Sequence, residues 1–224
     1  MKIIFFGDSI TESCFELFAN PAGGINVIKD ADSGYPLLVT NRLKKNLPDV
    51  KIEMINAGIG GNTSEDGLKR VEKDVIEKCP DITVVCFGLN DVANTKPENY
   101  GENMAQIFKI LCNAKIQTVF MTPNMVNTYV HPLTLDILNE TAEKCAACQN
   151  NGTMDLFIQK GLESALNNDA VICDVYSVWK KLKNYGVDTT ELLCNYINHP
   201  IRQMHRLFAD LLEPLLNEKI KSLF

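Results

Sequence analysis

Five short apolar runs, at 2–6, 51–56, 82–87, 116–121 and 170–174, are spaced along the chain with helix-periodic segments between them. Lys2-Ile3-Ile4-Phe5-Phe6 has no turn residue and no polar alternation, the pattern of a strand buried on both faces. Helical spacing is clearest over 64–78, where Leu68, Val71, Val75, Ile76 and Cys79 fall at i, i+3, i+7, i+8 and i+11. Asn62-Thr63-Ser64 offers caps for that helix and Glu65-Asp66 places acid in its first turn. Further helices are expected at 35–46, 97–113, 133–148, 154–167 and 176–184. In the third, Pro97 suits the first turn and Met104, Ile107, Phe108 and Leu111 face inward. A last helix begins near Pro200 and carries Leu207, Phe208, Leu211, Leu212, Leu215 and Leu216, with Pro214 able to kink it. Parallel strands need such crossovers, so the pattern predicts an α/β fold with a five-stranded parallel sheet and helices on both faces.

The chain has 224 residues, 46% hydrophobic and 22% charged, enough for a sizeable core. No repeat, low-complexity segment or linker divides it, so 1–224 is expected to be a single domain. The less regular stretch 122–155 is expected to form part of the wall around a site. A net charge of −6 with no basic run speaks against nucleic-acid binding. No stretch approaches the ~20 apolar residues of a membrane span. Only four apolar residues follow Lys2 before Gly7-Asp8, too few for a signal core, so a cytoplasmic location is expected. The eight cysteines are then expected to be reduced, with Cys86 and Cys173 inside or closing strands. Cys145-Ala-Ala-Cys148 lacks a second ligand pair and is expected to be a plain helix face.

Chemistry-bearing residues gather just after three strands and near the C-terminus. The blocks are Gly7-Asp8-Ser9-Ile10-Thr11, then Asn56-Ala57-Gly58-Ile59-Gly60-Gly61-Asn62-Thr63, then Gly88-Leu89-Asn90-Asp91. Asn195-Tyr196-Ile197-Asn198-His199-Pro200 leads into the final helix. Ligands of open α/β sheets bind at the carboxyl ends of the strands, which is where these blocks lie. Ser9 is a candidate nucleophile, poor until a base takes its proton, and His199 is the favoured base. Charge growing on an attacked carbonyl oxygen needs donors fixed in advance. The Ser9 amide, an amide of the Gly60-Gly61 pair and the Asn90 side chain are candidates for that oxyanion hole, the choice of Gly61 over Gly60 resting on the family resemblance given below. Asp8 is expected to tie the turn by hydrogen bonds, and Asp91 to support Asn90.

These four blocks resemble those of the SGNH hydrolases, the GDSL-type esterase and lipase family, along the whole chain. The resemblance implies a three-layer α/β/α flavodoxin-like fold, Ser9 as nucleophile, His199 as general base, and Ser9, Gly61 and Asn90 around the oxyanion. It departs at one point. The family's last block carries Asp three residues before its histidine, and here that position is Tyr196. Asn195 and Asn198, a backbone carbonyl, or Asp188 or Asp174 from elsewhere are the alternatives for orienting the ring, so a Ser–His dyad is expected.

Of the remaining candidates, His131 before Pro132 is expected in a loop, His205 to pack or cap within the last helix, and Trp179 to face the core. Gly58-Ile59-Gly60 only echoes a dinucleotide fingerprint, and no phosphate-cradling or metal-ligand spacing occurs, so no cofactor and no metal are expected. The expected activity is a serine esterase on a small-molecule ester, with a short acyl group such as acetyl on a carbohydrate or small metabolite. The alternatives are a lysophospholipase or thioesterase on longer chains, and a non-catalytic carbohydrate- or acyl-binding module. Homo-oligomers are compatible with the sequence.

Overall fold

The computed structural model describes residues 1–223. Strand β1 (Lys2–Gly7) leads into a hairpin of β2 (Cys14–Ala19) and β3 (Ile25–Lys29), then α1 (Tyr35–Asn46) and β4 (Glu53–Gly58). There follow α2 (Ser64–Asp74), β5 (Ile82–Cys86), the short α3 (Asp91–Asn94), α4 (Pro97–Asn113) and β6 (Gln117–Met121). The chain closes with α5 (Asn139–Asn150), α6 (Thr153–Leu166), β7 (Val171–Cys173), α7 (Val175–Asn184) and α8 (Arg202–Lys221).

The five strands of the main sheet are parallel and ordered β4-β1-β5-β6-β7. Ile3, Ile4, Phe5 and Phe6 on β1 are wholly buried because helices cover both faces. Each such side chain contributes about 1.5–3 kcal/mol when removed from water. On one face α1 packs on α8; on the other, α4 packs between α2 and α6. Chain exits from β1 and β5 therefore turn to opposite faces, which opens a crevice at the carboxyl end of the sheet between them.

Two glycines let three strand ends converge there. Gly7 pairs with Gly58 of β4 and Cys86 of β5. A Cβ on Gly7 would stand 2.1 Å from Thr11 Oγ1 and 2.5 Å from the Cys86 carbonyl oxygen. One on Gly58 would stand 2.2 Å from the Glu12 amide nitrogen. The turn after β1 thus rests directly on the end of β4.

Thr63 and Asp66 form a reciprocal capping box at the start of α2. The first amide of α1, at Tyr35, donates to Nδ1 of His205 on α8. Burial pushes that imidazole down to about 3, so it stays neutral and able to accept. Trp179 is fully buried, and α8 runs through Pro214.

Two expectations need correction. The helix expected over 133–148 begins only at Asn139, because Leu133 and Ile137 are exposed and find no surface to bury against. The hairpin at 14–29 was not expected, and it forms one wall of the crevice.

Substituting Gly58 by Ala is expected to cost about 3 kcal/mol or to prevent accumulation of folded protein, since backbone rather than a pliable side chain opposes the new methyl. Gly24→Ala, in the open hairpin loop, is expected to stay within about 0.5 kcal/mol. Urea unfolding midpoints of the two variants check this, and equal midpoints would contradict it.

Candidate active site

The turn leaving β1 is closed by its own backbone. Glu12 N–H donates to the Asp8 carbonyl (3.0 Å), Ser13 to Ile10 (3.2 Å) and Cys14 to Ser9 (2.9 Å). Asp8 Oδ1 accepts the Ile10 amide at 3.0 Å, and Asn56 Nδ2 reaches across from β4 to the Thr11 carbonyl at 2.7 Å. Ser9 therefore sits at a rigid corner, only 4% exposed.

His199 arrives from the opposite end of the sequence. Its Nε2 stands 3.0 Å from Ser9 Oγ and its Nδ1 stands 2.7 Å from the Phe15 carbonyl oxygen on β2. A carbonyl can only accept, so Nδ1 carries the proton and Nε2 presents its lone pair to the serine hydroxyl. Burial lowers the imidazole's pKa below its ordinary value, although the Phe15 carbonyl and the charge of Glu16 pull it upward. The ring is thus neutral at neutral pH and able to receive the hydroxyl proton.

Among the described residues, the ring's hydrogen-bond partners are the Phe15 carbonyl and Ser9, and neither Asn195 nor Asn198 bonds to it. Asn195 Oδ1 instead accepts the amides of Ile197, Asn198 and His199 (3.0, 3.0 and 2.9 Å), and its Nδ2 donates to Asn198 Oδ1 at 2.9 Å. Asn124 Nδ2 donates to the Asn198 carbonyl at 3.1 Å. The two asparagines hold the loop that aims the histidine. Tyr196, with φ of +58°, turns away and stacks on His131 at 3.9 Å between ring centroids. Asp188 accepts from Tyr129 and Thr190, and Asp174 caps α7, so both are occupied elsewhere. The group behind the imidazole is a main-chain carbonyl.

Donors collect on the other side of Ser9. Among the described residues, the amides of Ser9 and Gly61 have no hydrogen-bond acceptor. Gly61 has φ of +79°, a conformation that favours glycine. Asn90 Nδ2 gives one N–H to the Asn62 carbonyl at 2.9 Å, and its primary amide keeps a second. Asn62 is held in turn by Arg70, whose Nε donates to its Oδ1 at 2.8 Å. The same guanidinium donates to the carbonyls of Ala57 (2.8 Å) and Gly7 (2.7 Å) and lies 4.4 Å over the Phe6 ring. It fastens the ends of β1 and β4 together, a role that the sequence did not suggest. Asp91 accepts the amide and hydroxyl of Ser64, tying α2 to the loop after β5.

Ser9, His199, Gly61 and Asn90 line one cavity of about 640 Å³. Apolar side chains form much of its wall: Leu17, Ile25 and Val27 from the hairpin, with Ile59, Leu138 and Ile197. His131 and His205 are not among its lining residues. Among the described residues no cluster of three or more His, Cys, Asp or Glu side chains is placed to hold a metal.

Asp8, wholly buried, has an Oδ2 with no hydrogen-bond partner among the described residues. Burial raises its carboxyl to about 7, with the charge of Asp91 adding and the Ile10 amide and Arg70 opposing. A folded-state value above the unfolded one, ~4, means that the folded chain holds the proton more tightly. Stability is then lost as pH rises from about 4 through about 7. Asp8→Asn cannot ionise, so the melting temperature of the wild type is expected to fall relative to this variant between pH 5 and pH 8. Parallel melting curves across that range would contradict the assignment.

A sequence profile describing the GDSL-like Lipase/Acylhydrolase family matches residues 5–207. An acetylxylan esterase of Geobacillus stearothermophilus is 36% identical over 91 residues, 41% of this chain and 40% of that protein, so the match spans well under two thirds of the relative's length. The crystal structure of the acetyl xylan esterase AlAXEase superposes with a TM-score of 0.70 at 24% identity, covering 95% of this chain and 98% of that one. A lipase/acylhydrolase from Enterococcus faecalis superposes with a TM-score of 0.69 at 22% identity, covering 97% and 96%. These structures share the α/β sandwich described above. With a profile match running from β1 into α8, the chain belongs to the GDSL-like Lipase/Acylhydrolase family, a family of carboxylic ester hydrolases.

Proposed function

We propose that this protein hydrolyses carboxylic esters through an acyl intermediate on Ser9, with short acyl groups, acetyl on a carbohydrate or small metabolite, as the preferred substrates. The observation that carries the reading is the relay of Phe15 carbonyl, His199 and Ser9 at 2.7 and 3.0 Å. His199 Nε2 takes the proton as Ser9 Oγ attacks the ester carbonyl, and the carbonyl π pair moves onto oxygen. The oxyanion is met by the amides of Ser9 and Gly61 and the free N–H of Asn90. Collapse breaks the bond to the alcohol, which leaves with the proton from His199. Water, deprotonated by the same imidazole, then attacks the acyl-serine, and carboxylic acid and free Ser9 are released. No metal or cofactor enters these steps.

A main-chain carbonyl stabilises the imidazolium less than a carboxylate does, but it fixes the same tautomer and ring direction. The nearby charge of Glu16 supplements it. The acetyl preference is supported by the relative named as an acetylxylan esterase. A cytoplasmic setting is part of this reading.

A second reading, hydrolysis of longer acyl chains, is favoured by the apolar wall that Leu17, Ile25, Val27, Ile59, Leu138 and Ile197 give the cavity. With p-nitrophenyl acetate, butyrate and octanoate, kcat/KM is expected to be highest for the short chains. A steady rise toward octanoate would replace the first reading with the second.

Ser9→Ala is expected to lose at least ~1000-fold in turnover of p-nitrophenyl acetate and all labelling by a fluorophosphonate. Equal rates in wild type and variant would instead identify a non-catalytic binding module, and labelling at another residue would overturn the choice of nucleophile.

A further inference from the structure

Gly60 and Gly61 each carry an amide at the edge of the cavity, and the structure treats the two differently. Gly60 N–H donates to Glu12 Oε2 at 2.8 Å, whereas Gly61 N–H has no acceptor among the described residues. A Cβ on Gly60 would lie 3.0 Å from the same carboxylate oxygen, so Glu12 packs against this glycine as well as bonding to it. Past that anchor the chain enters the left-handed conformation of Gly61, and Asn62 N–H closes the turn on the Ile59 carbonyl at 3.2 Å.

Glu12 belongs to the same turn as Ser9, its own amide bonded to the Asp8 carbonyl. It thereby ties the loop after β4 to the corner that holds the hydroxyl. Its other oxygen, Oε1, is ion-paired with Lys29 on β3. Burial pushes the carboxyl pKa up, but Lys29 and the Gly60 amide outweigh it and hold the group below its ordinary value. An ionised carboxylate so close to the donors would oppose a developing oxyanion if it stood alone. Lys29 neutralises it, so the loop gains a strong acceptor without a net negative charge beside the reacting oxygen.

We propose that Glu12 is a positioning residue for the oxyanion hole: by binding the Gly60 amide it leaves the Gly61 amide as the donor offered to the substrate oxygen. The inference rests on the acyl-Ser9 reading given above. Losing this anchor lets the two amides exchange places, which weakens a contact made in the transition state more than one made in the ground state.

The test is steady-state turnover of p-nitrophenyl acetate by wild type, Ser9→Ala, Glu12→Ala, Glu12→Leu and Glu12→Gln, with folding checked by thermal melts. The acceptor-free variants are expected to lose kcat by about 10- to 100-fold while KM stays within about threefold, and their labelling by a fluorophosphonate is expected to slow in parallel. Glu12→Gln, which keeps a carbonyl oxygen for the Gly60 amide, is expected to recover most of that loss. Glu12→Leu keeps the stem of the side chain and serves where Glu12→Ala does not fold. If Ser9→Ala works as well as wild type, the underlying reading fails and the inference falls with it. If Ser9→Ala is inactive while a folded Glu12→Ala or Glu12→Leu keeps kcat within threefold of wild type, the reading stands and the role of Glu12 is overturned. A loss shared in full by Glu12→Gln also overturns it, because charge and not the acceptor would then be responsible.

Discussion

The close approach of three strand ends at Gly7 and Gly58 is the constraint from which the rest follows. A side chain at either position would collide with backbone or a buried hydroxyl. Without one, the turn after β1 lies against β4 while Gly7, the last residue of β1, pairs with both β4 and β5. That contact brings Ser9, Gly61 and Asn90 within one cavity, although they leave three different strands. Arg70 then locks the junction, with donors to both strand ends and to Asn62 and a face laid over Phe6. Such a junction is rigid before substrate arrives, and that is the condition under which fixed dipoles stabilise developing charge.

Polar groups around Ser9 are buried at a cost that the site tolerates for placement. Asp8 and Asp91 are both carboxyls that burial raises, to about 7 and about 6. Asp91 is compensated by Ser64, whereas Asp8 keeps one oxygen without a partner among the described residues. What they hold in exchange is geometry: the turn at Ile10 in one case, the start of α2 in the other. An ordinary apolar core would be more stable there and would fix neither.

The imidazole is oriented by the main chain of the hairpin, and this makes β2 part of the proposed catalytic apparatus. The hairpin is itself braced from below by Arg202, which lies 4.4 Å over the Phe15 ring and pairs with Glu16 and Asp30. Its upper face supplies Leu17, Ile25 and Val27 to the cavity wall, and Lys29 grips Glu12. One two-stranded element therefore touches the ring and the wall and, through Glu12, holds the loop after β4. A carboxylate three residues before the histidine would have joined ring and loop locally. With Tyr196 there, the partner comes from 184 residues away.

The five parallel strands, the crossover helices and the four blocks at the strand ends were legible from residue order alone, because apolar periodicity and turn chemistry are local properties. So was the pairing of Ser9 with His199, through the resemblance that the blocks carry. The hairpin carries only a weak signal in the sequence: apolar residues at 14–19 and 25–29 around Asn20-Pro21-Ala22-Gly23-Gly24. Its flanks lack the unbroken burial that marks a central strand, and all five residues of β3 are exposed in the structure. The extra residues 133–138 of the expected helix failed for the converse reason: Leu133 and Ile137 have no surface to bury against, and only a short 3-10 turn forms over Asp136–Leu138. No residue pattern encodes the Phe15 carbonyl, because every residue has one and only packing decides which is aimed at a ring. The roles of Arg70 and Glu12 are of the same kind: their chemistry is visible in the sequence, but their partners are set by contacts across 48 to 63 residues. Residue order determined which groups this protein brings to its crevice; only the folded backbone, by choosing which of many identical amides and carbonyls are left free, decided how they face one another.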